Sequence, residues 1–127
     1  METAKTISVN IVCAALIAIL MIWGNTTYRQ WLQYQRGEAA LAQGNHIAAI
    51  AGYEAALHMY TPFSPLVEKT AGRLWEMGER YEHSGDRVRA LIAYRSLRSS
   101  FLAARWLFTP GGDWIDRCDE RIARLTR

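Results

Sequence analysis

The chain has 127 residues, half of them apolar, and a formal net charge of +3. Beyond any membrane segment that length leaves room for one domain, and so small a positive charge without a recognised nucleic-acid module argues against nucleic acid as a partner. Two cysteines and three scattered histidines exclude a disulfide framework and a zinc module of regular ligand spacing.

No residue from Thr6 to Tyr28 is charged, and Ile7 to Trp23 reads ISVNIVCAALIAILMIW, with Asn10 the only strongly polar interruption. At about 1.5 Å per residue, twenty-odd helical residues cross a hydrocarbon layer of about 30 Å. Residues 1–28 are therefore predicted to be a membrane anchor that meets the lipid bilayer through residues 7–23. Trp23, Tyr28 and Trp31 follow where amphipathic rings favour the interface. A removable signal peptide competes with this reading. The apolar run exceeds the usual core of about 7 to 15 residues, and Ile22, Trp23, Gly24 and Asn25 form no small-x-small cleavage site, which favours an uncleaved anchor. Lys5 and the α-amine on one flank balance Arg29 and Arg36 on the other, so orientation stays open. Ala14, Ala15 and Ala18 offer small residues for packing against another span.

The remaining residues, 29–127, carry helical spacing between clear breaks and no strand alternation, which predicts an all-α body. The first helix runs out of the membrane and ends at Gly44-Asn45. Asn45 caps a second, His46 to about Tyr60. Pro62 and Pro65 interrupt the chain, and Ser64 as N-cap with Pro65 at the first position starts a third helix to about His83. Gly85 ends it, and Asp86 caps a fourth, Arg87 to about Leu107. Thr109-Pro110-Gly111-Gly112 reads as a turn rather than a phosphate site. Asp113 then caps a final helix, with Trp114, Cys118, Ile122 and Leu125 on one face.

Shifting the sequence by 41 residues pairs Gly37 with Gly78, Ala40 with Tyr81, Gly44 with Gly85, Asn45 with Asp86, Ala49 with Ala90, Tyr53 with Tyr94 and Ala56 with Leu97. Glycine ends one helix, Asn or Asp caps the next, and small residues let the two cross closely. This pattern resembles the tetratricopeptide repeat, most closely at Leu74, Met77, Gly78, Tyr81, Gly85, Asp86, Ala90, Tyr94 and Leu97. In the first copy Gln33 and Arg36 stand where large apolar residues are usual, and the period exceeds the family's 34 residues, with the excess near residues 61–69. The resemblance implies repeats at about 30–62 and 71–104 and a capping helix at 113–126 over the otherwise exposed end.

His46, His58 and His83 stand apart, and no HExxH, GxSxG, phosphate-cradling loop or dinucleotide fingerprint occurs. No catalytic, cofactor or metal site is expected. The resemblance implies a binding face on the first helix of each pair: Trp75, Glu79, Glu82 and His83 in the second copy, and Trp31, Tyr34 and Glu38 in the first. The alternatives are that Trp31 sits in the membrane interface, that Trp75 packs on the linker with Phe63, and that the acids are only solvated. A second surface is a basic ridge. Arg87, Arg95, Arg98 and Arg105 fall within about 80° on a helical wheel, with no acid from residue 87 to 109. This ridge either pairs with Glu68, Glu76, Glu79 and Glu82 or touches anionic lipid or an acidic partner. The expectation is a bitopic adaptor in a bacterial inner membrane that binds a peptide segment of a partner or a membrane protein complex. A structural subunit held mainly by its transmembrane helix is the alternative.

Overall fold

A computed structural model describes residues 1–60, 64–104 and 110–127. Five helices and no strand occur among the described residues: α1 (Glu2–Ala42), α2 (His46–His58), α3 (Pro65–His83), α4 (Arg87–Ala103) and α5 (Gly112–Leu125). Pro62, Phe63, Arg105, Leu107 and Thr109, on which parts of the sequence reading fell, lie outside the described residues.

The first helix is longer than any packing need of the body. Over about 60 Å, at about 1.5 Å per residue, α1 passes without a break from the apolar run into the first repeat. It holds one stretch long and apolar enough to cross a membrane, and no residue of that stretch is covered by the rest of the chain. Burial begins at Thr26 and Thr27, which are half-covered, and is complete at Gln30, Tyr34 and Gly37. There α1 packs on α2.

The two hairpins repeat the same turn. Gly44 and Gly85 take φ of 75° and 80°, a left-handed conformation that glycine adopts without strain. Behind them the Asn45 amide donates to the Ala40 carbonyl at 2.9 Å and the Asp86 amide to the Tyr81 carbonyl at 2.8 Å. The Asn45 and Asp86 side chains accept from the amides of Ala48 and Arg89, which caps α2 and α4 as expected.

Inside each hairpin a tyrosine ring lies on a glycine. A β-carbon added at Gly37 would stand 2.8 Å from the Tyr53 ring, and one added at Gly78 would stand 2.5 Å from the Tyr94 ring. Tyr53, Tyr94, Ala49, Ala90, Ala56 and Leu97 are all fully buried. The 41-residue repetition thus reappears as equivalent contacts in α1–α2 and α3–α4, with α2 packed on both α3 and α4.

Two boundaries differ from expectation, and one N-cap is made without its side chain. The α2 helix stops at His58. Ser64 occupies the N-cap position of α3 as expected but makes no side-chain cap bond, and its hydroxyl donates to Gln30 Oε1 at 2.6 Å. The last helix begins at Gly112 behind Gly111 as N-cap (φ 70°), which leaves Asp113 in the first turn, where a carboxylate complements the helix dipole. Gly111 abuts the Phe101 ring, so the turn needs glycine for space as well as for conformation.

Candidate interaction surfaces

Trp75 does not stand exposed among carboxylates: it is 8 % exposed. Its ring packs 5.1 Å from Tyr94 and 6.1 Å from Trp114, centroid to centroid. The guanidinium groups of Arg117 and Arg121 lie 4.7 and 5.0 Å from its centroid, a cation–π arrangement. The cover over Trp75 is therefore α5. Trp114 is held in turn by donating Nε1–H to Glu68 at 3.0 Å.

The same helix takes up the acids beside Trp75. Glu82 accepts from Arg121 Nη1 and Arg124 Nη2, each at 2.9 Å, and Glu79 lies 3.7 Å from Arg121. Burial raises the Glu82 pKa, but the hydrogen bonds and charges of Arg124 and Arg121 outweigh it, so the carboxyl sits below its ordinary range. His83 stays exposed at the end of α3, with Nδ1 2.7 Å from the Glu79 carbonyl.

The first copy is closed in a parallel way. Glu38, equivalent to Glu79, receives Arg73 Nε from α3 at 2.7 Å and the Tyr53 hydroxyl at 3.0 Å. Burial again opposes ionisation, and the hydrogen bonds of Tyr34 and Tyr53 with the charge of Arg73 prevail, which lowers the Glu38 pKa. Tyr34, expected on the binding face, is 3 % exposed beneath Lys69, whose ammonium lies 5.2 Å from the ring centroid. Trp31 alone of this set remains substantially open, stacked on Tyr28 at 6.2 Å. Each first helix is thus clamped at an equivalent glutamate by an arginine of the next first helix, and α5 plays that role for α3.

What stays open on α3 is a shallow cavity of about 600 Å³ lined by Glu76, Glu79, Arg80, His83 and Ser84. Glu76 is engaged by Arg73 at 3.4 Å. A second recess of about 270 Å³ lies between Glu68, Gly111, Gly112, Asp113, Trp114 and Arg117. Its charged lining is of both signs, Glu68 and Asp113 with Arg117.

The basic ridge is only partly neutralised, and by a different helix from the one expected. Arg98 pairs with Asp119 of α5, whereas the α3 acids pair with Arg73, Arg121 and Arg124. Arg87 and Arg95 are exposed and make no ion pair with any described residue. Beside them Val88 is 68 % and Ile92 39 % exposed. Neither aliphatic was among the residues expected on this surface. Their spacing of four on the ridge side of the wheel, away from the Ala90-Ala93-Tyr94-Leu97 stripe, was the available signal.

Among the described residues no group of three or more His, Cys, Asp and Glu side chains converges as metal ligands would. Cys118 is fully buried, and burial pushes its thiol up to about 12. No family model, no curated protein and no solved structure matches the chain.

Proposed function

We propose that the chain is a single-pass membrane adaptor without turnover, whose tetratricopeptide-like body presents the outward face of α4 to an acidic, partly apolar segment of a partner in a membrane complex. A bacterial inner membrane is the setting expected for it. The observation that carries this reading is the contrast between the two faces. On α3 every acid near Trp75 already has a basic or donor partner. On α4, Arg87 and Arg95 flank two exposed aliphatic side chains and form no ion pair with any described residue. Apolar contact with matching charge at its rim is the usual composition of a docking surface.

Co-purification of the full chain from mild detergent, followed by mass spectrometry, tests the reading. The doubly substituted Ile92→Asp, Arg95→Glu chain is expected to lose a subunit that wild type and a Glu76→Lys control retain. Loss with Glu76→Lys alone would move the docking site to the α3 cavity. Exchange of residues 7–23 for an unrelated apolar span separates the structural alternative: an adaptor keeps its partner, and a subunit held mainly through its span loses it.

A further inference from the structure

The distance between the apolar run and the body is unusually short. The run ends at Trp23, and α1 continues through Gly24 and Asn25 without interruption. Thr26 and Thr27 are already half-buried, and the Thr27 hydroxyl oxygen is out of contact with solvent. Three helical steps lead from Trp23 to Thr26, about 4.5 Å at about 1.5 Å per residue.

Seven residues beyond Trp23, Gln30 is fully buried and locks the lower end of the body to α1. Its Nε2 donates to the Ala56 carbonyl at 3.0 Å, and its Oε1 accepts from the Ser64 hydroxyl at 2.6 Å. The end of α2 and the start of α3 are therefore fixed at a level about 10 Å past Trp23 along α1. The headgroup and interfacial layer adds roughly 5 to 8 Å on each side of the hydrocarbon. The run 7–23 spans about 25 Å, so with about 30 Å of hydrocarbon centred on it the headgroup layer reaches about 7 to 10 Å past Trp23. Thr26 and Thr27 fall inside that layer and Gln30 at its outer edge. Tyr28 and Trp31, 58 % and 44 % exposed, lie at that level and stack on each other, amphipathic rings of the kind that favour this layer.

We propose that the end of the body around Gln30 is a lipid-contact surface, resting in the phospholipid headgroup layer of the bilayer that α1 crosses. This rests on residues 7–23 being a membrane span. The body is then a platform standing on the bilayer rather than a tethered domain. One consequence concerns the ridge. Arg73 meets Glu38 about 22 Å past Trp23, and the Tyr81 ring meets that of His46 beyond the end of α1. Arg87, which follows at that far end, is beyond the reach of the headgroups.

Single-cysteine reporters in the full chain test this, on a Cys13→Ala, Cys118→Ala background. A fluorophore is attached at Pro65→Cys or His58→Cys at the lower end, at His83→Cys at the far end, or at Leu16→Cys in the span. The protein is reconstituted in phosphatidylcholine vesicles carrying a nitroxide either on the headgroup or in the acyl chain. Headgroup nitroxide is expected to quench the two lower reporters several-fold more than the His83→Cys reporter, and acyl-chain nitroxide to quench the Leu16→Cys reporter. Equally weak quenching at both ends, with Leu16→Cys quenched, overturns the lipid-contact surface and leaves the span intact. An unquenched Leu16→Cys reporter removes the span and this inference with it.

Discussion

Gly78 of α3 lies under the ring of Tyr94 of α4, so close that an alanine methyl would stand 2.5 Å from it, whereas a methyl at Gly72 on the same helix would meet nothing within 4 Å. In a helix interior alanine is favoured over glycine by roughly 1 kcal/mol, and overpacking costs about 1–3 kcal/mol. The two substitutions should therefore act in opposite directions. In thermal unfolding of the detergent-solubilised chain, Gly72→Ala raises the midpoint and Gly78→Ala lowers it. Gly37→Ala, facing Tyr53, also lowers it.

Trp75→Ala is expected to act on stability first. The ring is buried against Tyr94 and Trp114, with Arg117 and Arg121 over it, and deletion of a buried Trp costs about 3–5 kcal/mol. Because α5 supplies three of those neighbours, α5 should be released. Limited proteolysis should cut within residues 112–125 of the variant well before it cuts wild type. Equal cleavage rates would contradict this packing.

Acid should loosen the same contact. The Glu82 carboxyl has a lowered pKa in the folded protein, so its pairing with Arg121 and Arg124 is fully present above the ordinary value of 4.5. It is lost as the pH falls through the lower folded value. The unfolding midpoint is expected to drop in that window. Glu82→Gln should lower the midpoint near neutral pH and reduce the further drop in acid, measured by circular dichroism across the pH range.

Cys118 should be unreactive in the folded chain. It is fully buried and burial pushes its thiol up to about 12, which leaves almost no thiolate at neutral pH. In a Cys13→Ala background, maleimide modification followed by mass is expected only after denaturation. Rapid labelling of the native chain would show that α5 is not docked as described.

Much of the fold was legible in the sequence because it rests on local chemistry. Gly44, Asn45, Gly85 and Asp86 end and cap helices by their own backbone and side-chain preferences, and all four do so. The Gly37–Tyr53 and Gly78–Tyr94 contacts were foreshadowed by the 41-residue shift. The surfaces were less legible, since exposure depends on what a later helix covers. A helical wheel of α3 sets Trp75 and Glu82 opposite the core, and only the docking of α5 turns that side into an interior. Ser64 holds the N-cap position of α3 as expected, but its hydroxyl donates to Gln30, 34 residues earlier, a contact that no local pattern shows. Pairing of Arg98 with Asp119, rather than with an acid of α3, is likewise decided by a distant segment.

Amide hydrogen exchange on the full chain in lipid nanodiscs tests most directly that one uninterrupted helix both crosses the bilayer and forms the first wall of the body. The expected result is slow exchange from residue 7 through residue 37, with lipid shielding the first part, the body shielding the last, and no gap at Gly24 and Asn25. A fast-exchanging stretch between Trp23 and Gln30, or rapid exchange across residues 7–23 in lipid, would contradict it.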